Sequence, residues 1–166
     1  MDATREWATT IAEGHSAEAR VAALLFGAAW RVKPANRDGA QDLEVTDLGG
    51  TTWRLEIKDE SNYVGSGRLC IETQQGWPAR PSGISISEST VCIHVLGEHA
   101  VLYRTQPMRL WIKASEYQPR LFARSTNNNC GVLVPIASVE GERWCEQLAL
   151  ARLSASRVWR WSALSC

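Results

Sequence analysis

The chain has 166 residues, of which 45% are hydrophobic and 22% are charged, and its formal net charge is zero. This balance excludes an intrinsically disordered chain and favours a single folded domain over residues 1–166. The five cysteines form no CxxC pair, which excludes a compact zinc or iron–sulfur site and favours reduced thiols over a disulfide framework.

Apolar periodicity predicts a helix and then three short strands in the first half of the chain. The helix runs from about Ser16, a suitable N-cap, to Ala29. Segments 42–46, 52–58 and 68–73 have strand character, and Gly49-Gly50 links the first two as a hairpin.

The second half of the chain is predicted to add further strands and helices. We expect a short helix at residues 85–90, strands at residues 91–96, 101–104 and 132–136, a helix after Pro107 and a C-terminal helix at residues 141–153. His94, inside one of these apolar strands, is predicted to be structural. The order of the elements indicates an α/β fold in which a mixed central β-sheet is flanked by helices.

The segment at residues 52–58 carries the side chains with the clearest chemistry. Its alternation places Glu56 and Lys58 on the face opposite Leu55 and Ile57, roughly 6–7 Å apart along the strand. A carboxylate at this spacing can bind Mg²⁺ while the ammonium contacts an attacking water or the scissile phosphate. Asp42 begins the strand one hairpin upstream, about 4.8 Å away, so it and Glu56 are expected to converge on one divalent ion.

Glu18 is a further acidic candidate. It lies on the same helical stripe as Val21, Ala22 and Leu25, which is expected to face the core. A carboxylate in that position is costly unless it is paired or metal-bound. The alternative is that Glu18 lies at the edge of the helix and reaches water.

These residues resemble the signature of the PD-(D/E)xK nuclease superfamily. The chain follows its pattern with Gln41-Asp42, then thirteen residues, then Glu56-Ile57-Lys58. The segment Gly14-His15-Ser16-Ala17-Glu18 is similar to a first helix with an acidic residue aimed at the site. Segments 67–72, 81–87 and 128–136 resemble a phage and bacterial branch, so the likeness extends from about residue 13 to residue 136. The chain departs from the pattern at Ala40-Gln41, which lacks the proline, and at Thr90-Val91-Cys92, where the branch often has an aromatic pair.

The resemblance implies a restriction-endonuclease-like core, in the order α-β-β-β-α-β, and a Mg²⁺-dependent DNA nuclease for which Mn²⁺ can substitute. It implies that the metal is bound by Asp42, Glu56 and the Ile57 carbonyl, that Glu18 acts on the metal directly or through metal-bound water, and that Lys58 orients or deprotonates water. Glu72 is expected either to support these ligands or bind a second ion, or to be structural.

Contacts with nucleic acid are expected from loops beside the site, at Arg68, Arg80, Ser82, Asn127 and Asn128. The charge distribution agrees, because residues 1–98 carry 14 acidic and 9 basic side chains whereas residues 99–166 carry 4 acidic and 9 basic ones. An acidic catalytic half beside a cationic half suits a phosphate backbone.

Within the nuclease hypothesis, an endonuclease for Holliday junctions or other branched DNA and a restriction or recombination nuclease are both open, and paired cuts would favour a homodimer. The alternatives are a catalytically inactive nucleic-acid-binding module on the same scaffold and an α/β protein whose acidic strand face is only solvated. No apolar run approaches the roughly 20 residues of a membrane span and the N-terminus has no signal pattern, so we expect a cytoplasmic protein.

Overall fold

The computed structural model describes residues 17–25, 31–34, 42–46, 50–60, 65–117, 120–121 and 128–149. In chain order the described elements are α1 (17–25), β1 (Arg31–Pro34), β2 (Leu43–Thr46), β3 (Thr52–Asp59), β4 (Arg68–Gln75), β5 (Arg80–Pro81), a 3₁₀ turn (Gly83–Ser85), β6 (Val91–Leu96), β7 (His99–Arg104), α2 (Thr105–Ala114), β8 (Arg120–Leu121), β9 (Cys130–Pro135), a second 3₁₀ turn (Ile136–Ser138) and β10 (Cys145–Ala149). None of the described helices has the length and apolar character that crossing a bilayer requires.

The strands form two sheets. The larger sheet has the order β1-β2-β3-β6-β7-β10 and is mixed, because β3 and β6 are parallel while its other neighbours are antiparallel. The smaller sheet, β5-β4-β9-β8, is antiparallel throughout. The predicted α/β architecture with a mixed sheet is therefore confirmed, whereas the restriction-endonuclease-like order of elements stays a prediction.

Strand β4 belongs to the second sheet although the sequence suggested a run of three strands in one sheet. Both edges of β3 are occupied, by β2 and by β6, so β4 has no free edge beside it. Parallel strands need a long crossover connection. Here the crossover between β3 and β6 contains β4, β5 and the first 3₁₀ turn, and it lies over one face of the larger sheet.

One face of the larger sheet packs against α1. Val21 and Leu25 of the helix are fully buried in the same apolar cluster as Leu55, Ile57 and Ile93 of the sheet. The alternation of β3 explains this arrangement, because its apolar residues all point to the helix side.

The opposite face of the larger sheet packs against the smaller sheet and α2. Tyr103 from β7 shares this second cluster with Leu69 and Ile71 from β4, Val132 from β9 and Met108 from α2. The side chains of Glu56 and Lys58 in β3 point into the space between the two sheets.

The short helix predicted at residues 85–90 is wrong. The structure has a 3₁₀ turn at Gly83–Ser85, and the chain then runs without regular structure to β6. The hydroxyls of Ser87 and Ser89 are 2.8 Å apart, and that of Ser89 lies 2.8 Å from the hydroxyl of Thr105. Serine side chains that make such bonds compete with helical backbone geometry.

The C-terminal helix predicted at residues 141–153 is also wrong over its described part, where β10 (Cys145–Ala149) pairs with β7; residues 150–153 lie outside the described residues. The physical reason is the edge of β7 that β6 leaves open, whose backbone groups need partners. The backbone N–H of Arg104 donates to the carbonyl of Trp144, 3.0 Å away, at the start of this pairing. Tertiary pairing here overrides local helix propensity.

Candidate active site

Asp42 lies immediately before β2 and beside the middle of β3. Its backbone N–H donates to the Leu55 carbonyl at 2.9 Å, and its Oδ2 accepts from the backbone N–H of Ile57 at 2.5 Å. Leu43 is paired with Leu55 across the hairpin, so Asp42 lies next to Glu56 on the neighbouring strand. The hairpin thus brings together the two carboxylates that the sequence predicted to converge.

Glu56 and Lys58 form an ion pair on the face of β3 that points to the second sheet. The Lys58 Nζ lies 2.5 Å from the Glu56 Oε1, and the side chains are 46% and 14% exposed, respectively. Glu56 is therefore inside the site and Lys58 at its mouth.

Burial has opposite consequences for these two charges. Burial raises the pKa of Glu56 above its ordinary value, and the Asp42 carboxylate raises it further, although Lys58 lowers it. Burial alone would lower the pKa of Lys58, but the Glu56 carboxylate, with Cys92 and Asp42, outweighs this effect and the pKa of Lys58 is raised. The site consequently holds a firmly protonated amine beside two carboxylates that repel each other.

A cavity of about 140 Å³ opens between the two sheets at this point. The polar residues in its lining include Glu56, Lys58, Glu72, Ser87, His94 and Tyr103. A cavity of this size with charged groups in its wall has room for several waters. The candidate residues of β3 thus face a solvated space rather than a packed core.

Glu72 projects from β4 on the facing wall of the cavity. Ser82 Oγ donates to its Oε1 at 2.5 Å, and Asn129 Nδ2 donates to its Oε2 at 2.7 Å. Two donors therefore hold this carboxylate in place opposite Glu56. Ser82, which we predicted to contact nucleic acid, is buried and turned towards Glu72 instead of lying on the surface.

A buried chain of polar groups, Glu60, His94 and Tyr103, forms one end of the site. The Glu60 carboxylate accepts from the Cys70 backbone N–H at 3.1 Å and lies 2.6 Å from His94 Nδ1, and His94 Nε2 lies 2.8 Å from the Tyr103 hydroxyl. Burial, the largest single influence, lowers the pKa of His94, but the Glu60 carboxylate and Cys92 together outweigh it and raise the pKa of His94 to about 10. The imidazolium is therefore the stable form.

Glu60 was not predicted as a site residue, although its place in the sequence carries a signal. Glu60 continues the alternation of Glu56 and Lys58 along β3, so it points to the same side of the sheet. A third charged residue on the same strand face, just past the predicted strand end, indicates the same site as the first two.

The remaining predicted site residues lie elsewhere. Helix α1 packs on the face of the sheet opposite to Glu56, so Glu18 is half-buried in a different layer. Arg68, Arg80 and Asn128 are exposed, the last with a φ of 52°, and Asn127 lies outside the described residues. Within the described ranges, no group of three or more His, Cys, Asp or Glu side chains is arranged to hold a metal ion.

Neither a protein-family model nor a curated protein matches the sequence. Among solved structures, the chain is similar to a bacterial homing endonuclease, with 13% sequence identity and a TM-score of 0.47 over 59% of this chain and 70% of that chain.

The chemistry that this arrangement supports follows from its own charges. Two adjacent carboxylates with one raised pKa favour a divalent cation, because the cation relieves their repulsion. Mg²⁺ keeps several waters and binds through one or two carboxylates and a substrate phosphate, so Asp42 and Glu56 are the residues that could hold it. A phosphate brought to that cation would lie within reach of the ammonium of Lys58.

Proposed function

We propose that this protein is a Mg²⁺-dependent nuclease that hydrolyses phosphodiester bonds of DNA at Asp42, Glu56 and Lys58, and that Mn²⁺ can replace Mg²⁺. The observation that carries the proposal is that Asp42, immediately before β2, lies beside Glu56 of β3, and that Glu56 and its ion-pair partner Lys58 line the cavity between the two sheets. The resemblance of the same residues to the PD-(D/E)xK signature supports it.

Asp42 and Glu56 are the proposed anchors of the metal. A carboxylate has two oxygens, so Asp42 can accept the Ile57 N–H and still bind a cation. The Ile57 carbonyl is the proposed third ligand, and Glu18 would have to approach from the helix side of the sheet. When bound, the metal neutralises phosphate charge and lowers the pKa of water.

Lys58 acts as a donor in this proposal, not as a base. Its raised pKa keeps it protonated at neutral pH, so it orients the attacking water by hydrogen bonding and stabilises negative charge on the phosphate in the transition state. Of the two roles suggested by the sequence, orientation of water is the one that this electrostatic setting favours.

The test is a cleavage assay with Mg²⁺, Mn²⁺ or a chelator, comparing the wild type with Lys58→Ala and Asp42→Ala. We expect metal-dependent cutting that falls by roughly a hundredfold or more in each variant. A second ion pair on the same sheet supplies matched controls, because Lys33 Nζ and Glu44 Oε2 are 2.6 Å apart at the β1–β2 pairing. Lys33→Ala and Glu44→Gln should cut as the wild type does.

Activity that is unchanged in Lys58→Ala and Asp42→Ala would remove the proposed site. Wild-type protein that binds DNA but cuts nothing with either metal would favour the inactive nucleic-acid-binding module. Linear, circular, single-stranded and four-way-junction substrates refine the proposal, since cutting of closed circles indicates an endonuclease. Junction cleavage by a homodimer would support the branched-DNA type.

A further inference from the structure

A second, larger cavity lies next to the candidate active site. It is a groove of about 450 Å³ between the β4–β5 hairpin and the end of α2. Its lining includes Gln74 and Pro81 from the hairpin and Arg109, Lys113 and Tyr117 from α2 and the residues after it. Ile84, in the first 3₁₀ turn, lines both this groove and the candidate active site, so the two spaces share a wall. We call this space the α2 groove.

The α2 groove is positively charged. Its lining contains two cations, Arg109 and Lys113, and no carboxylate. The guanidinium of Arg109 donates to the carbonyl oxygens of Ile84 and Ser87, at 2.8 and 2.7 Å, and these neutral acceptors leave its charge uncompensated. A groove of this kind attracts phosphates.

One aromatic side chain, Tyr117, lines the α2 groove, and another, Trp77, belongs to the hairpin whose residues Gln74 and Pro81 form part of the groove wall. Trp77, at the tip of the β4–β5 hairpin, is 91% exposed. Tyr117 is 36% exposed and stacks on Trp111 with 5.5 Å between ring centroids. Exposed aromatic faces beside cations suit the bases of an unpaired strand, because paired bases in a duplex present only their edges to the grooves.

We propose that the α2 groove binds an unpaired DNA strand that continues from the candidate active site. Its phosphates lie over Arg109 and Lys113, and its bases stack on Trp77 and Tyr117. This inference rests on the proposed nuclease function and names the part of the substrate that flanks the cut. A second copy of the chain fits the surface less well, since a stable interface buries about 800 Å² on each partner, whereas the exposed residues of this hairpin include the polar Gln74, Gln75 and Arg80.

The first test is binding of the full chain to a labelled single strand and to the matching duplex, measured by fluorescence anisotropy with Ca²⁺ in place of Mg²⁺. Trp77→Ala should weaken binding of the single strand about tenfold, within the range that one base–aromatic stack supplies, and Trp77→Phe should restore most of it. Leu110→Ala removes an exposed apolar side chain of α2 that does not line the groove, and it should bind as the wild type does.

The second test is the salt dependence of single-strand binding. Lys113→Gln should reduce the slope of log affinity against log salt by about 0.7, the contribution of one phosphate contact on a single strand. The matched control is Arg31→Gln, which removes an exposed cation from β1 at the far edge of the larger sheet. It should leave the slope unchanged.

Failure of this inference can be told apart from failure of the proposed function. If the wild type cuts DNA, but Trp77→Ala and Lys113→Gln bind the single strand as the wild type does, the groove is not the binding site and only the inference is overturned. Equal loss of affinity for single strand and duplex in Trp77→Ala would overturn the assignment to an unpaired strand. A wild type that neither binds nor cuts nucleic acid would overturn both proposals.

Discussion

His94 provides a buried positive charge at the end of the candidate active site. Both of its ring nitrogens have partners, the Glu60 carboxylate and the Tyr103 hydroxyl, and the pKa of His94 is raised to about 10. We therefore expect both ring nitrogens to carry protons at pH 8. Histidine ring nitrogen shifts in ¹H–¹⁵N NMR spectra check this, and a neutral His94 signal at pH 8 would contradict it.

The raised pKa of His94 also makes the stability of the protein depend on pH. A histidine whose pKa is raised by folding contributes stability that is complete below its unfolded value, near 6.5, and that is lost as the pH rises through about 10. The free energy of unfolding should fall over this window, by up to about 1.4 kcal/mol per pH unit. Glu60→Gln should be less stable at neutral pH and show a flatter fall. Denaturant unfolding at several pH values measures both, and equal slopes in the two proteins would refute the assignment.

At this scale the sequence could predict side chains that alternate within one strand, and it could not predict partners from distant strands. The face of Glu56 and Lys58 followed from the period of β3. The bond between Glu60 and His94 did not, because it joins residues that are brought together only by the pairing of β3 with β6. The same applies to Ser82, whose partner Glu72 lies on another strand.

The first 3₁₀ turn is the element that closes the candidate active site. Gly83 has a φ of 51°, and a Cβ added there would lie 2.8 Å from the Cβ of Glu72. Gly83→Ala should therefore lower the free energy of unfolding by about 2–4 kcal/mol, through strain and overpacking together. It should also lower the proposed nuclease activity, because Glu72 lines the cavity.

A second glycine separates strain from overpacking. Gly67 has a similar φ of 64°, but a Cβ added there meets nothing within 4 Å. Gly67→Ala should thus cost only about 1–2 kcal/mol. Urea unfolding of both variants is the measurement, and equal costs would show that the turn does not pack tightly against β4.

Element prediction succeeded where a segment's own pattern decides its structure. Strands β3, β6 and β9 have apolar runs or alternation that would be buried in any sheet, and they lie within two residues of the predicted limits. The prediction for β10 was wrong, because the extended form of this segment depends on the open edge of β7. The helix predicted before β6 was wrong as well, since the serine hydroxyls of this segment bond to one another and to Thr105.

At the scale of the whole molecule, the two sheets explain why the candidate site is a cavity. The larger sheet supplies Glu56 and Lys58, and the smaller sheet supplies Glu72 on the facing wall. The sequence predicted one sheet flanked by helices. It could not predict the second sheet, because β4 joins that sheet only when β2 and β6 occupy both edges of β3 in the assembled fold. Two cations from the more basic residues 99–166, Arg109 and Lys113, line the α2 groove.

The central claim is that Asp42 and Glu56 hold a divalent ion beside Lys58, and a Mn²⁺ titration followed by electron paramagnetic resonance tests it most directly. The wild type should bind one Mn²⁺ per chain, and Asp42→Asn and Glu56→Gln should each weaken binding at least about tenfold. Lys58→Ala should bind Mn²⁺ as well as the wild type or better, because it removes a cation that competes for Glu56. Mn²⁺ affinity that is the same in the wild type, Asp42→Asn and Glu56→Gln would contradict the claim.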